Sequence, residues 1–291
     1  MYKLLASDID DTLLTHEGGL PEATHAALQL LHDAGVAVVL SSGRATASMR
    51  PIAARIVEPA DDEYLISFNG GRVVTALSDT VLFEQAISSR VVEEIMTYAR
   101  EENLHVQAYS HDGFLVEDIP GTSEEESRLY SDIAALPYER VKSLSGALPR
   151  GSVKLLIIGE HENLLVHQER LRTKAAGRFS VMFSKPRYLE VVAKGVSKGH
   201  ALEMLAGRLN IPLSRCIALG DSTNDIEMIQ TAGLGVAVGN ARQELKDIAD
   251  HVLTRHASRS AILELISFAF PDIASSSRFQ EIMKTAPQDT N

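Results

Sequence analysis

The sequence predicts an α/β protein, a doubly wound parallel sheet interrupted by an inserted α+β unit. Short, nearly continuous apolar runs recur at 4–7, 36–41, 64–68, 216–220, 235–238 and 251–254, with the length and character of strands buried on both faces. Stretches of helical periodicity separate them, and strand alternating with helix builds a parallel sheet covered on both sides. The rhythm breaks between 85 and 186, a segment far longer than a loop and large enough to hold a core of its own.

Along the chain, the first helix, 21–34, sets Ala23, Ala26, Ala27, Leu30 and Leu31 on one face and stops at Gly35, which suits a helix C-cap. Inside the insert the pattern predicts a helix at 88–103, strands at 105–109 and 114–116, a helix opened by a capping box from Ser123 to Glu126, a strand at 153–158, a helix at 160–176 and a strand at 179–183. The chain is expected to leave the core near 83–86 and return near 185–188. That makes a core of 1–84 and 187–272 around an insert of 85–186. Beyond Phe270 the sequence turns polar, with Ser275-Ser276-Ser277, and a frayed tail is expected over 273–291.

Charge and composition narrow the function. The 291 residues hold 39 acidic and 28 basic side chains, a net charge of −11, without the basic footprint of a nucleic-acid binder. Cys216 is the only cysteine, so neither an intrachain disulfide nor a thiolate zinc cluster can form. It falls in an expected core strand, where it serves as a small apolar filler. The ten histidines lack paired metal spacing. No stretch has the length of a signal peptide's apolar region or a membrane span, which leads to the expectation of a cytoplasmic monomer or homodimer with no membrane or nucleic-acid partner.

Four clusters of polar residues stand at expected strand or helix ends. Asp8 and Asp10 follow the first strand, and residues two apart in extended chain point the same way, so both carboxylates can face one site. One could attack phosphorus while the other moves a proton, although a solvated acidic turn has the same composition. After the second strand, Ser42 offers a hydroxyl and Gly43 an open amide to a phosphate, or simply a turn. Lys198 enters a helix, where it can neutralise a carboxylate and a phosphate or sit on the surface. Asp221 and Asp225 can give hard oxygens to Mg²⁺ and Asn224 an amide to Lys198 or a phosphate, or the stretch can cap the next helix.

Taken together, Asp8-Ile9-Asp10-Asp11-Thr12-Leu13, Ser42-Gly43-Arg44, Lys198 and Gly220-Asp221-Ser222-Thr223-Asn224-Asp225 resemble the four ordered motifs of the haloacid dehalogenase superfamily, a Rossmann-like core. The insert after the third strand is similar to the large α/β cap of the Cof-type phosphatases, and Asn69-Gly70-Gly71 and Gly239-Asn240-Ala241 sit where that family has similar loops. The resemblance implies that Asp8 is the nucleophile and that Asp10 is the general acid and base, lending its carbonyl to the metal. Asp221 would complete the Mg²⁺ site, with Asp225 as an auxiliary ligand. Ser42, Gly43, Lys198, Asn224 and the backbone amide of Ile9 would hold the phosphoryl group, with Arg44 on the substrate side. Two departures stand out: Asp11 replaces a frequent glycine, and 255–261 lacks the usual Asn-x-x-x-Gly-Val.

The activity implied by the resemblance is that of a Mg²⁺-dependent phosphomonoester hydrolase for small phosphorylated metabolites, sugar phosphates first, working through an aspartyl-phosphate at Asp8 under a cap that selects the leaving group. Two alternatives are a phosphomutase or phosphotransferase using the same intermediate, and a non-catalytic phosphometabolite-binding protein. His111, Asp112 and Lys154 in the insert are read as surface or hairpin residues.

Overall fold

Every residue of the first strand, β1 (Leu4–Asp8), is buried, and a sheet extends from it in both directions. The computed structural model describes residues 1–56 and 63–286. After β1 come α1 (Glu22–Asp33), β2 (Ala37–Ser41), α2 (Thr46–Ile56), β3 (Tyr64–Ser67), β4 (Arg72–Thr75) and β5 (Val81–Glu84). The insert continues as α3 (Ser89–Glu102), β6 (His105–Tyr109), β7 (Phe114–Glu117), α4 (Glu124–Ala134), β8 (Tyr138–Val141), α5 (Leu144–Ala147), β9 (Lys154–Ile158), α6 (His161–Ala175), β10 (Phe179–Lys185) and β11 (Tyr188–Ala193). The chain ends with α7 (Lys198–Arg208), β12 (Cys216–Gly220), α8 (Ile226–Thr231), β13 (Leu234–Ala237), α9 (Gln243–Lys246), β14 (His251–Val252), α10 (Ala261–Ala269), α11 (Pro271–Ala274) and α12 (Ser277–Thr285).

These elements form two units, one comprising 1–43, 49–83 and 197–291, the other 44–48 and 84–196. The first holds an eight-stranded sheet in the order β14-β13-β12-β1-β2-β3-β4-β5. It is parallel from β14 to β3 and turns antiparallel at β4. The strand order reverses at β1, with β2 on one side and β12 on the other. In an open parallel sheet the crevice at the carboxyl ends of such strands is where ligands bind, and Asp8, Ser42 and Asp221 all lie at or just past these ends.

The second unit is built on a six-stranded sheet, β10-β11-β9-β6-β7-β8, antiparallel except for the pairing of β7 with β8. Val92, Ile95 and Met96 of α3 and Leu164 and Leu171 of α6 share one core with Val106, Ala108, Leu155 and Ile157 of the strands. The expectation closed this insert at 186. Instead Tyr188–Ala193 pairs antiparallel with β9 and β10, because its apolar alternation completes the insert's own sheet.

The frayed tail expected from 273 is also corrected, as far as residue 286; residues 287–291 lie outside the described part. Ser276 caps α12 by accepting from the Phe279 amide at 3.2 Å. Phe279, Ile282 and Ala286, spaced for one helix face, are buried in the core. Lys154, read from the sequence as a surface or hairpin residue, is instead buried in β9 and donates to Glu190 at 2.8 Å. Cys216 is buried as expected, and burial pushes its thiol up to about 11.

Half of the expected capping box is present. Ser123 Oγ accepts from the Glu126 amide at 3.2 Å, but the Ser123 amide donates to His105 Nδ1 at 3.0 Å rather than to the Glu126 carboxylate. Burial holds His105 below its ordinary value, and only an unprotonated Nδ1 can accept this bond. A histidine with a depressed folded pKa contributes stability that is present above the unfolded value of about 6.5 and is lost as pH falls through the folded value. The urea midpoint should therefore drop between pH 7.5 and 5 more steeply in the wild type than in His105→Asn, whose Oδ1 can accept the bond without titrating. Equal slopes would show that His105 does not contribute.

The second departure from the resembled pattern has a backbone consequence. Ser260 adopts a left-handed conformation, φ 55° and ψ 61°, the geometry for which glycine is commonly used. It is fully buried, and its hydroxyl finds no hydrogen-bond partner among the described residues. Ser260→Gly removes both costs against the smaller entropic penalty of glycine, so a net stabilisation of about 1 kcal/mol is expected in urea unfolding. A destabilised variant would contradict this account.

Candidate active site

Asp8 is the last residue of β1, and just beyond it the chain turns sharply. The Leu13 and Leu14 amides both donate to the Ile9 carbonyl, at 3.1 and 2.9 Å. The bend requires Asp11 to take φ 59°, which explains why glycine is frequent there and why aspartate, tolerant of left-handed backbone, can replace it. Asn240 Nδ2 donates to the Asp11 carbonyl at 2.7 Å, and Asn240 Oδ1 accepts from the Ala257 amide at 2.8 Å. Thr12 Oγ1 donates to Asp221 Oδ1 at 3.1 Å, tying the turn after β1 to the one after β12.

Lys198 is the first residue of α7, capped by Ser197, whose Oγ accepts from the His200 amide at 3.1 Å. An ammonium at a helix N-terminus opposes the helix dipole, and a fully buried one also loses its hydration. Two carboxylates offset these costs: Lys198 Nζ donates to Asp8 Oδ1 and, at 2.7 Å, to Asp225 Oδ1. Burial alone would lower the Lys198 pKa, but Asp8 and Asp225 outweigh it and hold the ammonium above its ordinary value.

Asp225 is fully buried. Its Oδ2 accepts from the Asp221 and Ser222 amides, both at 3.1 Å, closing the short turn after β12 as a capping box. Asp8, Asp221 and Asp225 each place a carboxylate oxygen within 4.8 Å of the others, a group able to hold a metal ion. Burial first, then Asp225, pushes Asp221 up to about 6. Burial also lifts Asp8 well above the usual carboxylate range, with Asp225 and Asp221 adding to the shift and Lys198 opposing it. Crowded acids with raised pKa values are what a hard divalent cation would relieve.

A model of the haloacid dehalogenase-like hydrolases matches residues 5–266. This chain belongs to that family. It is 31% identical over 263 residues to an HMP-PP phosphatase of Serratia proteamaculans, covering 90% of this chain and 93% of that one. An HMP-PP phosphatase of Cronobacter sakazakii is 30% identical over 274 residues, covering 92% and 95%. Among solved structures, a haloacid dehalogenase-like hydrolase from Bacteroides thetaiotaomicron superposes with a TM-score of 0.84 at 26% identity, covering 93% of this chain and all of that one. A Thermotoga maritima protein gives 0.82 at 28%, covering 95% and 99%.

Within this haloacid dehalogenase-like hydrolase, the structure joins Asp8, Lys198, Asp221 and Asp225 directly. Parallel pairing sets Ser41 beside Asp8, so Ser42 and Gly43 begin the loop next to the carboxylate. Ile9 is buried immediately after β1, and Asp10 is half-buried on the same turn. Asn224 is tied to the Ser42 loop through Asn69, donating from Nδ2 to Asn69 Oδ1 at 3.0 Å, while the Asn69 amide donates to the Ser42 carbonyl. Arg44 is exposed and falls in the segment 44–48 that groups with the insert. Sequence reasoning assigned no role to Thr12, Asn69 or Asn240. The last two stand in the Asn-Gly-Gly and Gly-Asn-Ala loops, whose chemistry is invisible until the turns are placed.

No helix among the described residues is long and apolar enough to cross a membrane.

Proposed function

We propose that this hydrolase is a Mg²⁺-dependent phosphomonoesterase for small phosphorylated metabolites, with Asp8 as the nucleophile. One observation carries the reading: a fully buried lysine shared between Asp8 and Asp225, beside Asp221. A structural ion pair needs one partner for Lys198 and no third carboxylate. A phosphoryl-transfer site needs a nucleophile, fixed positive charge and hard oxygen ligands together.

Each step uses residues that are present. An Asp8 carboxylate oxygen attacks phosphorus and the bond to the leaving oxygen breaks, while Asp10 gives that oxygen a proton. Asp10 then takes a proton from water, whose oxygen attacks phosphorus, releasing phosphate and restoring the Asp8 carboxylate. Lys198 offsets the negative charge of nucleophile and phosphoryl group in both steps, and Ser42, Gly43, Asn224 and the Ile9 amide bind the phosphoryl oxygens. Asp8, Asp221 and the Asp10 carbonyl would hold Mg²⁺, which when bound supplies charge neutralisation for two anions meeting in line. With its oxygens engaged by Lys198 and two amides, Asp225 anchors the lysine rather than taking a primary place on the metal. We assign the protein to the cytoplasm.

Phosphate release from an aryl phosphate should require Mg²⁺ and disappear with a chelator. A substrate panel should set sugar phosphates beside HMP-PP, the substrate named for the Serratia and Cronobacter relatives, and include an acceptor sugar to detect transfer. Metal-independent turnover would refute the mechanism, and transfer without net phosphate release would convert it to phosphotransfer.

A further inference from the structure

The turn between β3 and β4 links three of the four polar loops, although it contributes no ionisable group. Phe68, Asn69 and Gly70 all have positive φ, at 54°, 56° and 99°. Two non-glycine residues held this way cost backbone energy, which persists only where the surroundings impose it. The Asn69 amide donates to the Ser42 carbonyl at 3.0 Å. Its side chain accepts from Asn224 Nδ2 at 3.0 Å. The same side chain lies against Gly43, where a β-carbon would stand 3.0 Å from Asn69 Oδ1 and 3.1 Å from Nδ2. Gly70 meets the entrance of α7 so closely that a β-carbon there would sit 2.0 Å from the Ser197 carbonyl oxygen and 3.0 Å from the Lys198 nitrogen.

We propose that Asn69 is a positioning residue for the phosphoryl group, acting through Asn224 and the Ser42–Gly43 backbone; this rests on the phosphatase reading. Asn224 is exposed on a short turn, and an amide there would rotate freely unless held. Committing one Nδ2 hydrogen to Asn69 Oδ1 fixes the plane of the Asn224 amide and leaves its second hydrogen as a donor in a set direction. The backbone bond to Ser42 holds the second phosphoryl loop at the same point. One residue thus sets the distance between donors from two loops, its side chain holding Asn224 and packing on Gly43 while its backbone holds Ser42, where misplacement by about 1 Å costs on the order of a hundredfold.

The test is a double-mutant cycle of Asn69→Gly and Asn224→Ala, read both as inorganic phosphate affinity by calorimetry with Mg²⁺ and as kcat/KM on an aryl phosphate. Glycine suits the left-handed backbone, so Asn69→Gly should match or exceed the wild-type melting temperature while losing about tenfold to a hundredfold in both readouts. The double variant should be no worse than Asn224→Ala alone, because the two side chains work as one unit. Asn69→Asp keeps the acceptor but adds negative charge beside the phosphate, so KM should rise while kcat stays near wild type. Wild-type affinity in Asn69→Gly, losses that multiply in the double variant, or a loss matched by a lower melting temperature would each overturn the proposal. A wild-type protein that binds phosphate but hydrolyses no ester would overturn the phosphatase reading and leave the positioning role standing. One that binds no phosphate would overturn both.

Discussion

Replacing Asp8 by asparagine should lower kcat for any phosphoester substrate by a factor on the order of 10⁴ or more, the scale seen when a covalent nucleophile is removed. The amide oxygen can still accept from Lys198 Nζ, so the local geometry should survive. Stability should move the opposite way to activity. Burial holds the Asp8 carboxyl well above its ordinary value, so ionising it costs folding energy, and that cost grows as pH rises through the raised value. Without metal, Asp8→Asn should therefore melt at or above the wild-type temperature at pH 7.5. It should also lose most of the rise in melting temperature that Mg²⁺ gives the wild type, since stabilisation by a ligand tracks its affinity for the native state. Retained turnover would remove Asp8 from the nucleophile's role. A strongly destabilised variant would show that Asp8 is chiefly a structural partner of Lys198.

The legible parts of this molecule were those whose chemistry and local pattern coincide. The runs at 4–7, 36–41 and 216–220 read as strands because both faces are covered, leaving no polar alternation to confuse them. Asp8, Lys198, Asp221 and Asp225 stand out because each lies at or just past the end of a strand or at the start of a helix. Tyr188–Ala193 lies beyond the expected return at 185–188, and only its antiparallel partners β9 and β10 assign it to the insert. The last helix was hidden by its serines: Ser276 and Ser277 suggest a linker, yet Ser276 is the cap that lets Phe279 and Ile282 pack. Asn69 could not be assigned a role, because its function depends on the spatial neighbours Ser42 and Asn224 rather than on any residue near it in the chain.

Lys198→Met should lose on the order of 10³-fold in kcat/KM, the upper range for deleting one preorganised charge-stabilising group, and should also lose stability in a pH-dependent way. Methionine matches the lysine in length and keeps the cavity filled, so the variant isolates the charge. Asp8 and Asp225 then face each other without the ammonium that both now accept from. Breaking a buried ion pair from one side costs about 3 kcal/mol or more, because the remaining charge is uncompensated. Lys198 is what opposes the upward shift of Asp8, so its removal raises that carboxyl further. A carboxyl with a raised folded pKa destabilises only when ionised, and the penalty fades as pH falls below that value. The difference in urea midpoint between wild type and Lys198→Met should therefore be large at pH 8 and much smaller at pH 5. A pH-independent loss would point to packing instead of charge, and an unchanged kcat/KM would show that the buried lysine serves the fold alone.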